Sequence, residues 1–163
     1  MKKIIYTILI FLTLSGCASS GEKFTELESV EDDQSIIYVM RPWRLYRGIA
    51  ILDVLINEEK VADLVNGGYI PVKVSPGSGI LTISASLAAR TNGWRNDPIN
   101  LKYEIKPKET KFIMLDAPTN YILPVGAYHI VSVNIDLFEL KQEEAMKFLP
   151  KLSYSKIKKR NKS

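Results

Sequence analysis

The stretch Tyr69-Ile70-Pro71-Val72-Lys73-Val74-Ser75 decides the fold class. Ile70, Val72 and Val74 point one way along an extended chain, and Pro71 and Lys73 point the other. That two-residue period is a β-strand with one buried face. Pro71 has no N–H to give to a ladder, which places the strand at a sheet edge or at a bulge. The same signature recurs on both sides. Ile36-Ile37-Tyr38-Val39-Met40 is a β-branched and aromatic run, hence a strand. In residues 48–56, Ala50, Leu52, Val54 and Ile56 share one face and Asp53 takes the other. A polar turn at 57–59 leads into a short return strand over 60–65. Asn66-Gly67-Gly68 turns the chain again, glycine allowing positive φ.

Further along, 76–79 reads as a turn and 80–88 as a strand with Ile83, Ala85 and Leu87 on one face. Residues 90–98 form a polar loop carrying Trp94. Leu101, Tyr103 and Ile105 alternate with Asn100, Lys102 and Glu104. Residues 110–115 and 127–135 complete the set, with 118–126 as a loop between them. Short strands at this spacing predict an all-β fold, an antiparallel β-sandwich of about 7–8 strands. One helix is expected, over 139–149. Its acids Glu139, Glu143 and Glu144 come early and Lys147 late, which suits the helix dipole, and Pro150 ends it. Leu140, Ala145, Phe148 and Leu149 would cover an edge of the sheet.

Composition narrows the chemistry. The 163 residues hold 22 Lys+Arg, 18 Asp+Glu, one Cys and one His. A single Cys excludes an internal disulfide framework and a multi-Cys zinc site. The charge is uneven. Residues 17–35 carry Glu22, Glu26, Glu28, Glu31, Asp32 and Asp33 against Lys23. Residues 151–163 carry Lys151, Lys156, Lys158, Lys159, Arg160 and Lys162 and no acid.

The N-terminus reads as an address. Lys2 and Lys3 precede an apolar run from Ile4 to Leu14, which is too short to span a bilayer. Such a pattern marks a secretory signal peptide. Leu14-Ser15-Gly16-Cys17 resembles the lipobox of bacterial lipoproteins. That resemblance implies a diacylglyceryl group on the Cys17 thiol, cleavage before Cys17, and acylation of the new amine, palmitate being the expected chain. Several acyl chains give stable anchoring where one does not. Ala18-Ser19 follow, with no Asp next to the cysteine. By similarity to enteric sorting this favours the outer membrane, with the domain facing the periplasm. The expected division is signal peptide 1–16, acidic flexible tether 17–34, β-sandwich 35–136, C-terminal helix 137–150 and basic tail 151–163.

Catalytic groups are sparse. His129 shares strand parity with Val131 and Val133 and reads as a structural histidine on an apolar face. There is no Gly-x-Ser-x-Gly elbow, no phosphate-binding glycine loop and no spaced aspartate loop for calcium. No catalytic, cofactor-binding or metal residue is therefore assigned. Two clusters suit binding better. Arg41-Pro42-Trp43-Arg44-Leu45-Tyr46-Arg47 holds three guanidinium groups and two aromatics. Those residue types dominate interface hot spots, so Arg41, Trp43, Arg44, Tyr46 and Arg47 are the candidate interaction residues. Arg90, Trp94 and Arg95 make a smaller second cluster. Export argues against nucleic acid as a partner for the basic tail and favours anionic lipid or lipopolysaccharide.

Residues 36–105 resemble the bacterial family called domain of unknown function 2846, related in pattern to PEGA-type β-domains. The resemblance rests on Ile37-Tyr38-Val39-Met40-Arg41-Pro42, Gly48, Val54-Leu55-Ile56-Asn57, Val61 through Tyr69, and Val74-Ser75-Pro76-Gly77. Glu143-Glu144-Ala145 and Leu149 are similar to the short helix that often closes such lipoproteins. Asn57-Glu58-Glu59 stands where the family commonly has a hairpin glycine. Ser78-Gly79 stands where a histidine often follows the Pro-Gly, which weakens any shared histidine site. The resemblance implies a PEGA- or immunoglobulin-like sandwich and export, with no activity attached. The expectation is a lipid-anchored, non-catalytic module that binds an envelope protein or glycan. An envelope hydrolase using His129, or a small-ligand carrier with an apolar cavity, are the alternatives.

Overall fold

The computed structural model describes residues 21–44, 50–91, 97–116, 119–125, 128–133 and 135–155, and of these the side chains of 88, 91 and 119–133 are not described. Eleven strands occur among them: β1 (Ser35–Arg41), β2 (Leu52–Ile56), β3 (Glu59–Leu64), β4 (Gly68–Val74), β5 (Gly77–Ala85), β6 (Ile99–Ile105), β7 (Thr110–Asp116), β8 (Thr119–Val125), β9 (Tyr128–Val133), β10 (Asp136–Leu140) and β11 (Ser153–Tyr154). Helix α1 spans Leu87–Thr91 and α2 spans Gln142–Phe148, followed by a 3-10 turn at Leu149–Lys151.

The fold is the expected all-β sandwich. One sheet has the order β10-β7-β1-β4-β11 and the other β3-β2-β5-β6, while β8 and β9 form a separate hairpin. The four-stranded sheet is antiparallel throughout. The five-stranded sheet is mixed, because β1 runs parallel to β7 and β4 parallel to β11. Among the described residues no strand pairs with the outer side of β4 beyond Tyr69, so Pro71 breaks no bond of the described ladder there.

Between the sheets lies a core of Ile37, Val39, Leu52, Val54, Ala62, Leu64, Ile70, Val72, Leu81, Ile83, Ile105, Ile113 and Leu115. The faces read from alternation in β2, β4, β5 and β6 are the faces that pack here, apart from Leu87. A second core covers the outer face of the five-stranded sheet. There Ile36, Tyr38, Met40, Tyr69, Phe112 and Met114 meet Phe24, Ala145, Leu149 and Leu152, with Leu27, Val30, Phe138 and Phe148 alongside. Strand β1 is buried along its whole length because both faces are covered, which is why its sequence is a continuous apolar run rather than an alternation.

Several boundaries differ from the sequence reading. Residues 21–34 are not a free tether: Phe24 is buried, and Phe24 N donates to Leu152 O (3.5 Å). The sandwich does not stop at 136, since Asp136–Leu140 pairs with β7. The helix begins only at Gln142, with Lys141 N donating to Glu144 Oε2 (3.3 Å). It lies on the outer face of the sheet, not at an edge. The segment read as a basic tail starts with ordered structure, because Ser153–Tyr154 is a strand and Ser155 is buried. Residues 119–125 are a strand, not a loop, and β5 starts at Gly77 inside the expected turn. Leu87 leaves the core face because α1 begins there, its entry held by Ala89 N donating to Ser86 Oγ (3.2 Å). The signal peptide and Cys17 lie outside the described residues.

Candidate functional site

Strand direction sorts the connections between strands onto two ends. At one end lie tight turns, at 57–58, 75–76 and 106–109. At the other end β1, β5 and β7 finish and β2, β6 and β10 begin, so the chain leaves and re-enters the sandwich there for its longest intervals between neighbouring strands, beside the short turn 65–67. Segments that leave a rigid sandwich at one end are the usual place for binding residues. Among the described residues, three of the five large exposed apolar side chains, Trp43 (57% exposed), Ile51 (42%) and Leu87 (82%), are on that end. The remaining two, Ile80 and Met146, are elsewhere.

Arg41 is where the structure departs most from the sequence reading. It was expected at the binding surface, but it is only 6% exposed. Its parity in β1 is that of Ile37 and Val39, so its side chain turns inward at the end of the core. Nη1 donates to Ala50 O (2.6 Å) and to Leu64 O (3.4 Å), fastening β1 to the start of β2 and the end of β3. Burial lowers its pKa to about 10, so the guanidinium stays charged at neutral pH. Arg41 is a structural clamp beneath the loop end.

Trp43 and Arg44 do reach the surface. The polypeptide at Arg44 is gripped by one side chain: Arg44 N donates to Asn66 Oδ1 (2.9 Å), and Asn66 Nδ2 donates to Arg44 O (2.8 Å). Asn66 is buried and reproduces the two-bond pairing of an antiparallel strand. Gly67 follows at φ +69, the left-handed region that glycine enters without strain. A Cβ there would sit 3.4 Å from the Trp43 Cβ, so the indole rests on a bare stretch of backbone. Arg44 Nη2 lies 2.6 Å from Asp116 Oδ1 at the end of β7. That pair is half exposed, and surface pairs contribute at most about 1 kcal/mol. Its effect is to hold the guanidinium over the loop end.

Asn66→Ala removes both bonds to Arg44. We expect a loss of about 2 kcal/mol in a urea titration, with the far-ultraviolet circular dichroism still that of a β protein. A change below 0.5 kcal/mol would show that the corner does not depend on this amide.

Sequence reasoning missed Asn66 and Asp116. Asn66-Gly67 was read as a turn, and the dipeptide carries no sign that its amide grips another loop. Asp116 is 72 residues from Arg44 in the chain. Tyr46 and Arg47 lie outside the described residues, as do Trp94 and Arg95 of the second cluster. Arg90 is exposed, with Nε donating to Ala85 O (3.2 Å). His129 is placed opposite Pro124 in the β8–β9 hairpin, and its side chain is outside the description. As for a carrier, the groove lined by Asn57, Ile80, Lys102 and Tyr103 is open to solvent and lies toward the tight-turn end.

Residues 1–18 match the family model of the prokaryotic membrane lipoprotein lipid attachment site. The chain is thus a lipid-anchored bacterial envelope protein with a β-sandwich fold. No curated protein and no solved structure matches it. Among the described residues no helix is long and apolar enough to cross a membrane.

Proposed function

We propose that this lipoprotein, acylated at Cys17, is a non-catalytic binding module whose loop end engages a partner in the periplasm. The observation that carries the reading is the Trp43–Arg44 corner. An exposed indole and an exposed guanidinium are held in fixed positions by Asn66 and Asp116, on the end where β1, β5 and β7 finish. Such anchoring lowers the entropy cost of binding and suits a hot spot. The partner is an envelope protein or a glycan; both stack on Trp and bond to Arg. The outer membrane is the proposed site, on the residues after Cys17. A PEGA-like relationship accords with the sandwich.

The double variant Trp43→Ala/Arg44→Ala tests it. In living cells treated with a crosslinker, the native protein should yield a discrete adduct that the variant loses at equal abundance. The same adducts in both would sink the reading. A hydrolase based on His129 is the competing proposal. It would be supported if cell-wall or ester hydrolysis by the purified protein were lost on His129→Ala.

A further inference from the structure

The start of the described chain, β11 and the Trp43 corner lie in one row. Lys23 faces Ser153 in an antiparallel bridge, and Tyr154 N donates to Glu22 O (2.7 Å). On the other side of β11, Ser153 N donates to Gly67 O (3.0 Å). Gly67 in turn carries Trp43, whose Cβ would lie 3.4 Å from a Cβ at that glycine. Gly21 is packed directly against the Tyr154 carbonyl, where a Cβ would not fit, so the chain is fixed to the sheet from Gly21 onward. Neighbouring strands lie about 4.8 Å apart and residues along a strand about 3.3 Å apart, which puts Trp43 within about 20 Å of Gly21. Four peptide links join Gly21 to Cys17, and whatever their course they reach at most about 14 Å. The Trp43 corner therefore works no further than about 35 Å from Cys17.

That reach limits the partner. With Cys17 acylated, the corner stays within a shell above the leaflet that is roughly one domain diameter deep. The chemistry of the face narrows the choice. Trp43, Ile51 and Leu87 are exposed and apolar on this end. Arg44 Nη2 already has Asp116 Oδ1 at 2.6 Å, so its charge is balanced on the spot. An apolar, aromatic patch with a neutralised arginine suits a protein surface better than a phosphate or an acidic sugar. We propose that the loop end binds a protein held in the same membrane, with its contact surface less than about 35 Å above the headgroups. This rests on Cys17 as the acylated residue and on Trp43 and Arg44 as the contact. Two proteins confined to one membrane meet at a higher effective concentration than a protein and a soluble partner. The short link holds the two faces at a common height.

The test changes the reach and leaves the face alone. Six repeats of Glu-Ala-Ala-Ala-Lys between Ser19 and Ser20 make a semi-rigid helical spacer of about 45 Å. A flexible Gly/Ser spacer of equal length has an end-to-end distance of about 30 Å and folds back readily. In living cells treated with a crosslinker, the native protein should give an adduct whose second component carries a lipobox or membrane-spanning segments. At equal abundance and equal melting temperature, the helical spacer should lower that adduct at least about tenfold, and the flexible spacer by less than about threefold. Full retention with the helical spacer would overturn the proposal, as would equal loss with both spacers, since reach would not then be the cause. A glycan adduct, or a protein with no membrane attachment, would overturn it too. In all these cases the native adduct still stands for a loop-end partner, whereas its absence would defeat the loop-end reading itself and this proposal with it.

Discussion

Phe24→Ala should destabilise the domain by about 3 kcal/mol, the usual cost of deleting a buried phenylalanine. The residue lies in a stretch of small, polar and acidic side chains, where truncation of a free linker would change stability by less than about 0.5 kcal/mol. The difference arises from what Phe24 covers. Its ring meets Tyr38 edge-on at 6.3 Å and Tyr69 at 5.6 Å, and Tyr38 stacks on Phe112 at 5.5 Å. Removing the ring opens that aromatic layer on the outer face of the five-stranded sheet to water. The bond from Glu28 N to the Tyr38 hydroxyl (2.7 Å) holds the rest of the segment across the same face. Urea denaturation of the variant beside exposed Glu26→Ala gives the comparison. Equal midpoints would mean that residues 21–34 contribute nothing to folding.

Arg41→Ala should cost a similar amount, about 3 kcal/mol. A charged donor bonded to two buried carbonyls contributes about 1.5–3 kcal/mol, and truncation also leaves a void at the end of the core. Arg41→Lys should recover part of the loss, since an ammonium on a shorter stem can still bond to the Ala50 carbonyl. A surface hot spot would behave in the opposite way, with stability unchanged and partner capture lost. Below its melting temperature Arg41→Ala should therefore retain the crosslinked adduct that Trp43→Ala/Arg44→Ala loses. Loss of the adduct in a well-folded Arg41→Ala protein would place the residue in the binding surface after all.

Both predictions concern residues whose roles depend on distant partners. The period-two strands were legible because one buried face imposes alternation within a few residues. Strand β1 was legible for a different reason: its run of five large side chains has apolar groups on both sides. That same run held an unused clue, since a strand buried on both faces needs a second cover. Phe24, Leu27 and Val30 supply part of it. Scattered among acids, they show no period of their own. Arg41 was likewise readable from parity, two residues beyond Val39 and four beyond Ile37, but the Arg-Pro-Trp-Arg composition drew it into the loop. Strand β10 was hidden because Glu139 and Leu140 read as the start of the helix, and its pairing with β7 joins residues 20 to 28 apart in the chain. The two-residue β11 exists only because Gly67 and Tyr69 on one side and Glu22 on the other offer it carbonyls. The candidate site divides in the same way. Trp43 and Arg44 announced themselves by residue type, while Asn66 and Asp116, which position them, did not.

The most direct measurement places a photo-crosslinking amino acid at position 87, at the same end of the sandwich as Trp43, and at position 80 toward the tight-turn end. Both side chains are exposed and apolar in the native protein. Illumination of living cells should give one discrete adduct from position 87 and none from position 80. Adding Trp43→Ala/Arg44→Ala should abolish the first. Identical adduct patterns from the two positions, or an adduct at 87 that survives the double substitution, would contradict a partner surface at the loop end.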